Sequence, residues 1–528
     1  MAVPFDRPGS GLMPPPDNLV VPEDDGTVSA DVAVIGSGMG GSTIAHALRD
    51  SGLDVLVVER GEFLPREIEN WSPEAVFEHA RYKNSEQWYS ADGPAFAPGV
   101  YYYVGGNTKF YGAMMPRFRE RDFGDIEHRE GVSPAWPISY GDLEPFYCEA
   151  EALYGVHGTP GQEPTEPPRS KDYPYPAVPH EPPIQRLADD LARQGLRPIA
   201  MPLAIARHPG GGCVQCRTCD GFPCMVDAKG DADVSALRPL VRSGRVRLLT
   251  GTTVTRLETA ADGSTVTHAV GRRSGQPVTI RAARFVVAAG AVNSAALFLR
   301  SASDAHPNGL ANGSDQVGRN YMVHNSTFFV AIDPRRANET SFQKTLGLND
   351  WYFGAPDWPW PLGNVQMLGK LQAPMVSAAR PWAPKALLRY MTGHSVDLYL
   401  TSEDLPVRTN RVVVGPDDRI VVHWTPNNLS AHRQLVRHTT KAIRRAGFPL
   451  VFTDRMGIET NSHMCGTLRM GTDPATSVLD PTCRAHELRN VWVTDSSSFV
   501  SSAAVNPALT IAANALRVAA VSDLVGTN

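Results

Sequence analysis

At 528 residues the chain exceeds what one ordinary hydrophobic core organises, and two large domains are expected. An apolar fraction of 42%, a charged fraction of 20% and a net charge of -5 fit a globular protein without a broad basic field, which argues against nucleic acid or an anionic membrane as partner and leaves small molecules. The opening "MAVPFDRPGSGLMPPPDN" lacks the basic start and apolar core of an export signal, no segment approaches the ~20 apolar residues of a membrane span, and an odd count of seven cysteines speaks against a disulfide framework, so a cytoplasmic location is expected.

Residues 1–30, rich in Pro and Gly, read as an N-terminal arm. The texture then changes in "DVAVIGSGMGGSTIAHALRDSGLDVLVVERG" (31–61). Asp31–Ile35 predicts a buried strand, Ile44, Ala45 and Leu48 one face of a helix ended by Gly52, and Val55–Val58 a second buried strand, as in a parallel sheet. Within "GSGMGG", Gly36 makes the tight turn, Gly38 admits a pyrophosphate to the backbone, and Gly41 lets helix and strand pack closely. Free N–H groups at the helix start favour the anion. Glu59, at the end of the second strand, could hold both ribose hydroxyls and would repel a 2′-phosphate. A bound dinucleotide is expected; this unit alone does not separate FAD from NAD.

From Pro160 to Pro183 nine of 24 residues are proline, which predicts a rigid extended excursion over the surface and a possible contact between copies of the chain. Cys213, Cys216, Cys219 and Cys224 follow CxxCxxCxxxxC, close to an iron–sulfur ligand run but without its usual spacing and trailing proline. Buried thiols or one disulfide are the preferred reading, no metal is assigned, and a cluster is the alternative. Residues 246–289 alternate around the Asp262-Gly263 and Ser274-Gly275 turns as a meander of hairpins, ending in a buried strand at Phe285–Ala289. Further on, "WYFGAPDWPW" could stack on a sugar ring or could be core. A helix near Leu429–Ala446, stopped by Gly447, carries Arg433, Arg437, Lys441, Arg444 and Arg445 on what reads as a solvated face.

The far end reads "NSHMCGTLRMGTDPATSVLDPTCRAHELRNVWVTDSSSFVSSAAVNPALTIAANALRVA". Together with the glycine loop, "VGGNTKFYGA" and "FVVAAGAVNSAALFLRSA", spread in order over nearly the whole length, it resembles the glucose-methanol-choline (GMC) oxidoreductases, FAD-dependent enzymes that oxidise alcohols. The resemblance looks closest to the family's bacterial pyranose oxidases and C-glycoside 3-oxidases. It implies an α/β fold with a discontinuous Rossmann-like FAD-binding domain and a second α+β substrate domain built on a large antiparallel sheet. The expected division is FAD domain at 31–118, 201–325 and 456–528, an excursion at 119–200, and substrate domain at 326–455.

Position by position, the resemblance places Gly36, Gly38, Gly41 and Glu59 on the ADP half and Val254 near the adenine. Gly106 and Asn107 would lie along the flavin, Asp495 near the pyrophosphate or ribityl chain, and Asn506, Pro507 and Thr510 at the pyrimidine side of the ring. It makes His463 and Asn506 the catalytic pair. Phe110 stands where fungal pyranose oxidases attach FAD through histidine, so non-covalent FAD is expected. Tyr111 replaces a frequent asparagine, which alters the surroundings of flavin N5. His46 and His486 lack the setting of His463 and read as structural.

The implied reaction is oxidation of a secondary ring hydroxyl, C2 or C3, of a sugar or glycoside to a ketone, with hydride passing to flavin N5 and electrons going on to O2 or a quinone-type acceptor. An imidazolium near ~6.5 faces an alcohol near ~15.7, roughly nine units or ~12 kcal/mol. A free alkoxide is therefore too costly, and proton loss to His463 must be coupled to hydride departure, with Asn506 donating an N–H to the developing charge. The alternatives are an iron–sulfur flavodehydrogenase, a sterol or other alcohol oxidase of the family, and a non-redox FAD lyase.

Overall fold

The first sheet grows from a strand at Thr27–Ile35 (β1). The computed structural model describes residues 15–526, so residues 1–14 of the expected arm lie outside the described residues. The described part of that stretch is not a free arm. Asn18 Nδ2 donates to Val241 O at 2.8 Å and Val20 N to Leu248 O at 2.9 Å. β1 itself starts four residues before the expected Asp31, because Thr27–Ala30 pair with Thr279–Ala282, although of these four only Val28 is buried.

After β1 come helix α1 (Met39–Leu48), β2 (Val55–Val58), α2 (Tyr140–Tyr154), α3 (Pro182–Ala192), β3 (Arg247–Leu249), β4 (Thr252–Thr259), β5 (Val266–Arg273), β6 (Gln276–Val287) and α4 (Ala291–Arg300). Further along the chain lie β7 (His324–Ile332), β8 (Asn364–Met367), β9 (Ser395–Glu403), α5 (Leu429–Arg445), β10 (Leu450–Arg455), β11 (Val491–Val493) and α6 (Ala508–Val521).

Strands β3, β2, β1 and β6 lie side by side in that order, parallel, and β11 joins the far side of β6, also parallel. β2 and the last four residues of β1 are wholly buried, as strands covered by helices on both faces must be. β4, β5 and β6 form the expected antiparallel meander, turned by Gly263 and by Ser274-Gly275, all with positive φ. The strand expected separately at Phe285–Ala289 is the end of β6. The sheet is closed by sequence-distant pieces: α6 packs on α1 and on α2.

The second sheet has the order β10–β7–β9–β8, continued by short strands at Leu346–Leu348 and Ile199–Ala200, all antiparallel. One face is apolar. Phe329, Ala331, Leu398, Leu400, Val365 and Met367 pack with Leu435 and Ile443 of α5 and Leu187 of α3. The arginines and Lys441 of α5 point to solvent, as expected. The other face is polar and carries Gln366, Tyr399 and Thr401.

Two expectations on connecting segments change. The proline-rich stretch is extended but pinned, with Arg169 paired to Glu151 at 3.2 Å and Ser170 N donating to Glu144 at 2.7 Å; its last two prolines open α3, where a missing N–H costs nothing. In the aromatic loop, Trp351 and Trp358 are core, and the Tyr352 hydroxyl joins Asp122 (2.9 Å) and Ala504 N (3.1 Å). Trp351 and Trp358 pack against the apolar face of the second sheet and Tyr352 within the larger core, so these three rings fill the interior.

Candidate active site

The glycine loop lies at the carboxyl end of β1, where ligands of such sheets sit. Its glycines do different things. A Cβ on Gly41 would fall 1.9 Å from Gly36 O, and one on Gly40 would fall 2.1 Å from Thr494 O. Gly36 has φ +101° and Ala288 O at its back. Gly38 is the exception: nothing lies within 4 Å of an added Cβ, and Gly290, at the start of α4, is equally open. Closely packed glycines around two open ones make a cradle that a pyrophosphate fits.

Glu59 is buried, and burial pushes its carboxyl upward against three donors. Ser37 N (3.0 Å), Ser37 Oγ (2.6 Å) and Gly61 N (2.9 Å) donate to it and fix the carboxylate at the end of β2, beside the glycine loop. Val254 is half-buried on β4, just beyond Thr252, whose N–H bonds to Glu59 O at 3.0 Å. Gly106 packs on the loop, where its Cβ would lie 3.2 Å from Gly38 Cα, and Gly105 N donates to Ser37 Oγ at 3.1 Å.

The side chain of Asn107 is committed to Tyr101 N (2.8 Å) and Gly99 O (3.2 Å), so it shapes this segment. Asp495 is a buried hub: it accepts from Gly290 N (2.8 Å) and Ser294 Oγ on one oxygen and from Ser497 on the other, tying β11 to the start of α4. Thr510 pairs its hydroxyl with Tyr147 (2.8 Å), leaving the first-turn amides of α6, behind Pro507, as its free donors. Phe110 stacks on Tyr101 with centroids 3.7 Å apart, and the Tyr111 hydroxyl is spent on Gly230 O.

His463 and Asn506 are both half-buried, on different segments, and a residue absent from the sequence expectations touches both segments. Met322 and Cys465 exchange backbone hydrogen bonds (3.1 and 2.9 Å) as an antiparallel bridge. Two residues beyond this isolated bridge on each segment, and so on the same side of it, stand His324 and His463. Their Nδ1 atoms are 2.9 Å apart, and His324 Nε2 lies 3.0 Å from Ser502 O, four residues before Asn506. His324 thus links the two segments that carry the expected pair. Burial first, and then His324, pushes His463 down to about 3, so its imidazole is neutral at ordinary pH.

The polar face of the second sheet looks onto this place. Tyr399 has its ring 6.2 Å from that of His463, and Thr401 Oγ1 donates to Ala504 O at 2.7 Å. Facing them in register on β8 are Gln366 and Asn364. Gln366 Oε1 and Asn364 Oδ1 are buried without a partner, a state that costs about 1–3 kcal/mol each unless a donor arrives.

Of the four clustered cysteines, Cys216 Sγ meets Thr218 O (3.7 Å), Cys219 Sγ meets Lys344 Nζ (3.7 Å) and Cys224 Sγ accepts from Ala228 N (3.3 Å); all seven cysteines are free thiols, so of the expected thiols or single disulfide it is the thiols that are found, with Cys219 buried and the other three half-buried. Among the described residues no group of three or more His, Cys, Asp or Glu is placed to hold a metal ion. His486 bonds to Ser477 (2.9 Å), while His46 lies half-buried on α1.

A dinucleotide cradle, and a polar antiparallel sheet with a half-buried, neutral histidine beside it, are the parts of a flavoprotein oxidoreductase. Comparison with known proteins names the family. Residues 179–326 and 412–515 match the two family models described as GMC oxidoreductase, and 34–73 match the NAD(P)-binding Rossmann-like domain. The chain is 32% identical to 6'''-hydroxyparomomycin C oxidase of Streptomyces lividus over 92% of this chain and 90% of that protein. It is 31% identical to paromamine 6'-oxidase of Streptomyces fradiae (92% and 90%) and 28% identical to the fructose dehydrogenase large subunit of Gluconobacter japonicus (93% and 97%). Pyranose 2-oxidase of Tricholoma matsutake matches over 23% of this chain, so the expected likeness to pyranose oxidases is distant and partial.

Among solved structures, pyridoxine 4-oxidase from Mesorbium loti shares the fold with a TM-score of 0.64 at 19% identity, covering 93% of this chain and 98% of that one. The chain belongs to the GMC oxidoreductase family and is an FAD-dependent enzyme acting on CH–OH donors.

Proposed function

We propose that this enzyme oxidises a hydroxyl of a sugar or glycoside, a secondary ring hydroxyl at C2 or C3, to the ketone, and passes the electrons to O2 to give hydrogen peroxide. The observation that carries the reading is the polar strand face beside His463: buried acceptors on Gln366 and Asn364 suit a polyhydroxylated substrate and would be costly against an apolar one such as a sterol. The names of the paromamine and fructose enzymes support the same substrate class. The first of these names also favours a second reading, attack at a 6-position hydroxyl, which gives an aldehyde.

FAD would be held non-covalently by the loop at Gly36–Gly41, Glu59 and the start of α6, and when bound would supply the hydride acceptor. His463 takes the hydroxyl proton. With the imidazole pushed down to about 3, the gap to an alcohol is wider than for a histidine in water, so transfer to it must run with loss of the C–H bond. Asn506, unable to act as a base, donates an N–H to the oxygen as charge develops.

The test is anaerobic mixing of the purified yellow enzyme with monosaccharides and C- and O-glycosides, followed by product analysis for ketone or aldehyde and a peroxide assay on admitting air. His463→Ala should keep its flavin and lose substrate-driven bleaching by about 100-fold or more. Unchanged bleaching in that variant would remove His463 from the chemistry.

A further inference from the structure

We infer that His324 is a positioning residue that fixes the tautomer of His463, placing its proton on Nδ1 and leaving Nε2 as the bare, proton-accepting atom. The inference deepens the reading of His463 as the base and rests on it. A short chain of donors and acceptors requires it. A backbone carbonyl only accepts, so the 3.0 Å contact to Ser502 O puts the hydrogen of His324 on Nε2. Neutral His324 then has a lone pair at Nδ1. The atom 2.9 Å away, His463 Nδ1, must therefore carry a hydrogen and donate it. What remains on His463 is a lone pair at Nε2.

Two features hold His324 neutral and in place. It is 1% exposed, and burial pushes its imidazole down against the opposing pull of Ser502 O and of Glu403, the carboxylate opposite it in register, which is itself bonded to His128 Nε2 (3.1 Å) and Ser133 Oγ (2.8 Å). Its strand is locked besides: Asn461 Nδ2 donates to His324 O at 2.6 Å, and the Met322–Cys465 bridge lies two residues away on each segment. A charged His324 would reverse the relation, donating from Nδ1 and forcing the hydrogen of His463 onto Nε2, where it blocks the base.

The neutral partner also has a catalytic consequence. When the hydroxyl proton reaches His463 Nε2 and the hydride leaves carbon for the flavin, a carbonyl is left and His463 becomes a cation. Its Nδ1–H bond to His324 turns charge-assisted at that moment and strengthens only then. This is the part that a carboxylate plays behind the histidine of a serine protease, here given to a second imidazole that does not raise the resting basicity.

The experiment uses full-length, flavin-loaded protein in two arms. In the first, long-range proton–nitrogen NMR of the enzyme labelled with 15N-histidine, assigned by the signals lost in His463→Ala, should show His463 protonated at Nδ1 and bare at Nε2; His324→Ala should abolish that pattern. A wild-type His463 protonated at Nε2, or a pattern indifferent to His324→Ala, overturns the inference. In the second arm, bleaching by D-glucose or phenyl β-D-glucopyranoside, whichever reduces the wild type, should slow about 100-fold at saturation in His324→Ala with little change in half-saturating concentration. His324→Asn, whose Oδ1 stands where Nδ1 accepted, should recover most of the loss. If His463→Ala is inert while His324→Ala matches wild type, the inference fails and the base survives. If His463→Ala is itself unimpaired, the base reading fails.

Discussion

Buried ionisable side chains around the site set opposite demands on pH. His463 and His432, the latter bonded to Thr327 (2.7 Å) and Ser402 (3.0 Å), are both pushed from their ordinary 6.5 down to about 3, chiefly by burial. As pH falls below 6.5 the unfolded chain takes up protons that the folded one refuses, so their contribution to stability is full above 6.5 and is lost on the way down to about 3. Asp404 has the other sign. Burial raises it from 3.8 to about 7, against donors at Trp424, Val323 and Asn427, so its contribution is full below 3.8 and lost as pH rises through about 7. Asp404→Asn should therefore melt a few degrees above wild type at pH 8, an effect on the order of 3–4 kcal/mol at most, and show no advantage near pH 4. Thermal scans of both proteins across pH check this; an equal gap at both ends would place Asp404 outside the balance.

The loop between β1 and α1 divides its glycines into those required by packing and one left free for a ligand. Gly38 has φ -67°, a value any residue adopts, and open space beyond its Cα. Gly38→Asp should fold, with a wild-type circular dichroism spectrum, and emerge colourless, because the carboxylate occupies the phosphate's place. Gly41→Ala meets Gly36 O at 1.9 Å and should lose both flavin and most soluble yield. A yellow Gly38→Asp protein would remove the loop from the nucleotide site. This unit is legible in sequence because strand, turn and helix succeed one another within thirty residues. The meander of β4 to β6 is legible for the same reason: its turns are made by residues next to the strands they join. The His324–His463 pair is not. Its members are 139 residues apart and meet only through the register of an irregular bridge, for which no local spacing gives a sign. The aromatic loop could not be judged either, since tryptophans that fill a core and tryptophans that bind a sugar obey the same local pattern.

At the scale of the molecule, the nucleotide sheet is assembled from both ends of the chain. β1 and β11 flank β6, and α6 packs on α1, with more than four hundred residues between the first and last of these pieces. A chain ending at residue 490 would lack β11, Asn506 and α6 and should yield colourless aggregate rather than a weak enzyme; absorbance at flavin wavelengths and light scattering read the outcome. A soluble yellow fragment would show that the amino-terminal part suffices. Among the described residues no helix is long and apolar enough to cross a membrane. The arrangement has a consequence for biosynthesis. Once β1 leaves the ribosome, roughly 20–90 s of elongation pass before β11 is made. Throughout that interval the sheet has an unpaired edge, a hazard that nascent-chain chaperones exist to shield. Vitamin supply would then act after release from the ribosome, and riboflavin-starved cells should accumulate empty full-length polypeptide instead of stalled translation products.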